Sequence, residues 1–270
     1  PHFIGRKAEL ATLRSAFESA RQGRGLTVVV HGESGVGKSA LTRRFAEAIA
    51  EGDPSTIVFS GRCYERESVP YKAFDGVIDS IARFLTTVDA ADLATVLPRQ
   101  KGLLGQVFPV MRKIEAIASA PRPMPGALDP QVLRARLFFA LRDLFTKLAD
   151  RAPLVLVIDD LQWADADSMA LLAEITRPPD EPKLLLLATV RAALTTEARR
   201  AGSGETKLHS VEQIATLFAG EVQMLPIQSL PREDARALVN ALLRDAGSAE
   251  DVSASGLAEE AGGHPLFIDE

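Results

Sequence analysis

Apolar positions along this chain alternate between a helical and a strand rhythm. Residues 10, 13, 16, 17 and 20 fall on one face and predict a helix from Lys7 to about Arg21. Leu26-Thr-Val-Val-Val-His31 is a short β-branched run and predicts a buried strand. Helical spacing returns from Ser39 to Ala50 with Leu41, Phe45, Ala48 and Ile49. Thr56-Ile-Val-Phe-Ser60 predicts a second strand, and the stretch 68–150 reads as mostly helical. Phe74, Val77, Ile78, Ile81 and Leu85 mark one helix beginning near Pro70. Asp129-Pro130 supplies an N-cap and a first-position proline for another, running to about Ala149. Between them, 86–128 shows only short apolar runs. It closes on a Pro-rich patch (Pro121, Pro123, Pro125, Gly126) expected to be an exposed loop.

Leu154-Val-Leu-Val-Ile158, bounded by Pro153 and Asp159, predicts a strand buried on both faces. A helix follows from about Ala166, with Asp165 as its cap. Residues 183–190 predict another buried strand, 195–209 a loop, 211–219 a helix and 221–227 a strand. From Pro231 onward only helices are expected, over 232–246 and 253–262. Alternating strands and helices predict an α/β fold, a parallel sheet covered on both faces. The organisation expected is an α/β domain over 1–227 and a small all-helical lid over 228–270.

With 46% hydrophobic and 25% charged residues, the chain has ample apolar material for such a core. A net charge of −5 gives no electrostatic case for nucleic acid or anionic membrane as the main partner. No apolar stretch approaches the ~20 residues of a membrane span. The single Cys63 excludes an internal disulfide and fits a reducing, cytoplasmic setting; its place after a strand-like run reads as packing. The chain opens on Pro1-His2 and stops inside an apolar pattern, so a piece of a longer polypeptide is expected.

Residues 32–39 carry the strongest chemical signal. Gly32-Glu33-Ser34-Gly35-Val36-Gly37-Lys38-Ser39 has the spacing of a phosphate loop. Its glycines let consecutive backbone N–H groups curl around phosphates. Lys38 would reach the β/γ-phosphates, and the Ser39 hydroxyl would ligate Mg²⁺. With Ala40 the loop enters a helix whose N-terminus favours an anion. A plain Gly-rich turn would leave the Lys-Ser pair unexplained.

The second half of a nucleotide site follows at Asp159-Asp160. A phosphate-loop enzyme needs an acid at the end of a neighbouring strand to hold the Mg²⁺ shell, and Asp159 is so placed. Asp160 could orient or deprotonate the attacking water. The pair could also merely end a strand; the upstream loop favours the metal reading. Thr189 and Arg191 close the next strand, at the edge where open α/β sheets bind ligands, and either could sense the γ-phosphate. Trp163 reads as a core or interface aromatic, and Asp165 as a helix cap.

Together these pieces resemble the bacterial branch of the STAND class (signal-transduction ATPases with numerous domains), which is related to AAA+ proteins. Phe3-Ile-Gly-Arg6 with Glu9-Leu10 is similar to the segment that opens such modules. Val155 to Asp165 is similar to their acid-bearing motif, Thr189-x-Arg191 to their sensor strand, and Gly263-His-Pro-Leu-Phe267 to the Gly-x-Pro motif of their lid. The resemblance implies an ATP/ADP switch with slow hydrolysis. It implies fusion to Ser/Thr kinase, LuxR-type or cyclase outputs and C-terminal sensor repeats, and nucleotide-dependent self-assembly. It also implies that Gly5 and Arg6 lie near the adenine and that Pro265 packs on the base or ribose. Position 7 is Lys where the family often has Glu. The winged-helix domain and sensor repeats are not within these residues. No clear arginine finger stands out; Arg199 and Arg200 could act across a subunit interface, and solvated loop charges are the plainer reading.

Three function classes remain in view. The first is an ATP-hydrolysing regulatory switch with Lys38, Asp160 and Arg191 as its catalytic groups. The second is a nucleotide-gated scaffold with negligible turnover. The third, a DNA-acting ATPase of the origin-loading type, has the net charge against it. A small-molecule kinase would need an acceptor site that 68–150 does not offer. No Asn-Lys-x-Asp guanine motif is present, which leaves ATP as the default nucleotide.

Overall fold

The computed structural model describes residues 2–65, 70–122, 129–192, 211–245 and 254–269. Among them, five strands form one all-parallel sheet: β1 (Leu26–Gly32), β2 (Ile57–Arg62), β3 (Leu154–Asp159), β4 (Leu184–Arg191) and β5 (Glu221–Ile227). Their order is β2-β3-β4-β1-β5. The helices are α1 (Lys7–Arg21), α2 (Lys38–Gly52), α3 (Lys72–Leu85), α4 (Ala90–Val96), α5 (Lys101–Val107), α6 (Glu115–Ala118), α7 (Pro130–Ala149), α8 (Ala166–Ile175), α9 (Val211–Leu217), α10 (Arg232–Asp245), α11 (Ala254–Glu260) and α12 (Pro265–Asp269).

The apolar runs of β3 and β4 are continuous because each strand feeds two cores. Leu154, Leu156 and Ile158 point to one face of the sheet, with Leu184, Leu186, Ala188 and Val190. There they meet α3, α7 and α8. Val155, Val157, Leu185 and Leu187 point to the other, against Leu13 and Phe17 of α1 and Leu41 and Phe45 of α2. Alternation along a pleated strand makes this division automatic.

The segment 86–128, unreadable as a pattern, folds into short helices on the first of these cores. Each contributes one or two fully buried groups: Val96 from α4, Leu103 and Leu104 from α5, and Ile117 from α6. A 3₁₀ turn over Pro109–Lys113 adds Met111. Helices this short cannot repeat an apolar face, so periodicity has nothing to register. Residues 123–128, which hold Pro123, Pro125 and Gly126 of the expected loop, lie outside the described residues; Pro121 is exposed.

Two boundaries need correction. The second strand starts at Ile57 and runs to Arg62, beyond the expected 56–60. Its last residues, Ser60-Gly-Arg62, carry no apolar signal but stay in register with β3, Arg62 opposite Asp159. The tail contains one helix more than expected. After α11 the chain turns through Gly262 and Gly263, both at positive φ (57° and 70°), and restarts as a helix at Pro265. The expected start at 253 lies just outside the described residues, as does the loop 195–209 with Arg199 and Arg200.

Helix α3 covers the edge strand β2 at backbone contact. A Cβ on Gly76 would lie 2.8 Å from Gly61 Cα, so only glycines permit this approach. Helices α10–α12 gather around a separate small core of Leu230, Ala235, Leu238, Val239 and Ala258, which Ile4 joins from the opening segment.

Candidate functional site

Sheet register brings the chemistry to one edge. Gly32 at the end of β1 pairs with Arg191 at the end of β4, while Arg62 ends β2 opposite Asp159 on β3. Thr189 pairs with Val30, one turn of pleat below the phosphate loop. Four strand ends therefore converge at the carboxyl edge of a parallel sheet, where the loops leave room for a ligand.

The phosphate loop leaves β1 at Gly32 and enters α2 at Lys38. Gly37, immediately before α2, sits at φ 100°, a conformation that excludes a side chain on steric grounds, with open space around it. No side chain caps α2, so its first amides, including those of Ser39 and Ala40, remain available to an anion. Val36 is buried and anchors the loop, whereas Glu33 and Ser34 are exposed. Lys38 is only 7% exposed and folds back over the loop, its Nζ donating to Gly32 O (3.0 Å) and Glu33 O (2.7 Å). Burial lowers the Lys38 pKa, against the opposing pull of Asp160 and Asp159; Arg191 pushes it down further. A polyphosphate beside it would favour the charged form.

Two hydroxyls converge on one carboxylate oxygen. Ser39 Oγ donates to Asp159 Oδ1 at 2.7 Å, and Thr189 Oγ1 donates to the same atom at 2.5 Å. Thr189 is fully buried and also accepts from the Asp160 amide at 2.9 Å. This donor set is entirely hard oxygen and suits Mg²⁺. Among the described residues no cluster of three or more His, Cys, Asp or Glu could hold a metal alone. Ser39 and Asp159 therefore fit a cation shared with substrate phosphates, not one caged by protein.

Asp160 adopts φ 57° as the chain leaves β3. Its Oδ2 accepts from Arg62 Nε (3.0 Å) and Nη2 (2.8 Å), and its Oδ1 accepts from Gln162 Nε2 (3.0 Å). Gln162 is 1% exposed and also accepts, through Oε1, from the Arg191 amide at 3.0 Å. One buried amide thus ties the end of β4 to the second carboxylate. The pairing with Asp160 raises the Arg62 pKa further. On the β2 side of Ser39 and Asp159 opens a cleft of about 730 Å³ that Thr42, Arg43 and Arg83 also line.

Arg6 is buried, at φ 60°, and spends its guanidinium on protein groups. It donates to Val36 O in the phosphate loop (3.0 Å), Gln228 O after β5 (2.5 Å) and Glu9 Oε1 (3.0 Å). Gly5 lies so close to Asp234 of α10 that a Cβ would collide with its carboxylate. Pro265 opens α12, whose neighbouring residues His264 and Leu266 lie against Gly35.

Arg62 and Gln162 were not singled out by the sequence. Arg62 lay beyond the expected strand; Gln162 was hidden between Leu161 and Trp163 in a 3₁₀ turn. A polar residue inside an apolar turn beside an acid was the only signal. Trp163 packs, half-buried, on the core. Asp165 caps α8 through the Ser168 amide (2.9 Å) and also accepts from the Lys72 amide (2.9 Å) at the start of α3. Cys63 is buried and its thiol is pushed up to about 12 by desolvation, which fits packing and not chemistry.

The sequence matches the family model of the AAA ATPase domain over residues 2–188. An uncharacterised protein of Rhizobium meliloti (strain 1021) is 22% identical over 196 residues, 72% of this chain and 19% of its own length. A 53-residue stretch is 56% identical to human NACHT, LRR and PYD domains-containing protein 5, covering 19% of this chain and 4% of that protein. The chain thus spans about a fifth or less of these relatives' lengths. Among solved structures, a Walker-type ATPase of Pyrococcus abyssi superposes with TM-score 0.55 at 15% identity, over 99% of this chain and 66% of that one. The Orc1 protein of Aeropyrum pernix, in complex with DNA, aligns with TM-score 0.49 at 18% identity, over 99% of this chain and 58% of that one. The fold is that of phosphate-loop NTPases, and the chain belongs to the AAA ATPase domain family.

Proposed function

We propose that this chain is the ATP-binding, slowly ATP-hydrolysing switch of a larger cytoplasmic signalling protein. The observation that carries the reading is the shared Asp159 oxygen, reached by Ser39 from the phosphate loop and Thr189 from the sensor strand. Mg²⁺, when bound, would neutralise developing charge between the β- and γ-phosphates. Ser39 would ligate it, and Asp159 would hold its water shell. Loop amides from Gly32 to Ala40, with Lys38, would grip the phosphates. Arg191 would read the γ-phosphate, and Asp160 would position water. Gly5, Arg6 and Pro265 would border the base. We divide the chain after Ile227, with 228–270 as the lid. Its partners would be other domains of its own polypeptide, kinase or transcription-regulator outputs and sensor repeats, and further copies of itself.

One observation favours a second reading, a nucleotide-gated scaffold. Both Asp160 oxygens are already engaged, by Arg62 and Gln162. A carboxylate so engaged could serve as a supporting group around the site and not as the base.

Multiple-turnover phosphate release from Mg-ATP, with Lys38→Ala and Asp160→Asn alongside, separates the two. Turnover abolished by both changes supports the switch with these roles. Turnover that survives Asp160→Asn removes that residue as base. No turnover, with ATP still raising the melting temperature, supports the scaffold; saturation near 100 times Kd adds roughly 2.7 kcal/mol of stability.

A further inference from the structure

Residue His264 stands between the lid and the phosphate loop. It follows the Gly262–Gly263 turn, whose Gly263 carbonyl accepts from the Leu230 amide and fixes the turn to the lid core. The imidazole lies against Gly35: a Cβ placed there would be 2.7 Å from His264 Cε1. The Phe267 ring backs it at 4.6 Å between centroids, tilted 31°. The residue is 7% exposed.

Its Nδ1, one of the two ring nitrogens bonded to Cε1, is buried and has no hydrogen-bond partner. Buried polar atoms are nearly always paired, so an orphan calls for a reason. Four other buried side-chain atoms among the described residues share this state: Thr56 Oγ1, Gln106 Oε1, Arg134 Nε and Glu181 Oε2. Gln106 and Arg134 belong to α5 and α7, and Thr56 and Glu181 lie at the amino ends of the strands, away from the phosphate loop. His264 alone of the five meets the loop that would hold a ligand. A residue serving only to fill space here would be better apolar. An imidazole held at this position by an aromatic ring has a use when a polar ligand enters between lid and loop.

We propose that His264 is the lid's hydrogen-bonding contact to the bound nucleotide. Nδ1 pairs with a polar atom of the nucleoside diphosphate portion, which ADP and ATP share. The lid contact thereby becomes favourable only in the occupied state. This inference rests on the nucleotide reading above and adds to it a residue on the lid.

The test exploits side-chain geometry. Asn carries a polar atom at the same distance from the backbone as Nδ1; Leu fills similar space and carries none. ADP and Mg-ATP affinities are measured by calorimetry on the whole chain for the parent, His264→Asn, His264→Leu and Lys38→Ala. Melting temperatures without nucleotide are taken alongside. The expected result is a loss of about tenfold or more in affinity for both nucleotides in His264→Leu, and recovery to within about threefold in His264→Asn. Melting of His264→Leu without nucleotide should be unchanged or higher, because an unpaired buried nitrogen has been removed. Equal affinity in the Leu variant and the parent overturns the proposal while leaving the nucleotide reading intact. Equal losses in the Leu and Asn variants, with lowered melting in both, also overturn it and make His264 a packing residue. A parent that binds no nucleotide overturns both readings together.

Discussion

Arg62 holds Asp160: two guanidinium nitrogens reach the same carboxylate oxygen, at 3.0 and 2.8 Å, from the neighbouring strand end. Arg62 is 55% exposed, so solvent screens the pair and its strength is that of a surface ion pair, about 0.2–1 kcal/mol. On the proposed role of Asp160 in positioning water, restraint of that size corresponds to about 1.4- to fivefold in rate. Arg62→Ala should therefore raise steady-state ATP turnover by about that factor and leave KM nearly unchanged. A slower variant would instead make Arg62 a partner in the chemistry.

Thr189 holds the carboxylate proposed to face Mg²⁺. Thr189→Val keeps its volume but removes the donor to Asp159 and the acceptor for the Asp160 amide. The Mg²⁺ concentration needed for half-maximal activity should rise about tenfold, as for loss of a ligand-orienting partner. A Mg²⁺ titration at fixed ATP reads this directly. An unchanged midpoint would sink the role of Thr189 in placing Asp159.

Arg6 ties three segments with one side chain, so Arg6→Ala leaves the Val36 and Gln228 carbonyls without this donor. Loss of these buried contacts should cost about 2–4 kcal/mol in urea unfolding. Arg6→Lys should recover only part, since an ammonium cannot reproduce the planar fork. A change under about 0.5 kcal/mol would show that the tie is redundant.

Asp165 predicts acid sensitivity. Burial alone would raise its pKa, but hydrogen bonds from Ser168 and from the Lys72 and Tyr71 amides outweigh this and lower it. The folded carboxyl is thus more acidic than the unfolded one. Its stabilisation is present above the ordinary aspartate value of about 3.9 and is lost as pH falls through the depressed folded value. Asp165→Asn should be less stable at neutral pH by about 1–2 kcal/mol and should narrow that gap under acid. Parallel stability curves from pH 7 to pH 3 would exclude this linkage.

The sequence carried the central machinery because its signals are local. The phosphate loop is eight consecutive residues, and β3 and β4 announce themselves through unbroken apolar runs. The cap at Asp129 is equally local: its side chain accepts from the Gln131 amide as the Asp-Pro pair implies. What escaped was set by tertiary register. Arg62 reaches Asp160 only because β2 continues three polar residues past its apolar stretch, in step with β3. Gln162 gains its role from the approach of β4, which no local spacing encodes. His264 was visible within its motif, but its unpaired buried nitrogen exists only once residues 264 and 266 lie on Gly35.

Strand β1, which launches the phosphate loop, is flanked by β4 and β5, formed by residues 184–191 and 221–227. Arg6 likewise finds one of its carbonyls at Gln228. During vectorial synthesis the loop therefore emerges early, yet waits for nearly two hundred further residues before its strand has both neighbours. Closure across such separations is slow and leaves apolar edges open in the meantime. Nucleotide should accordingly engage only after β5 has been made, as a late stabiliser of these residues and not as an early nucleus.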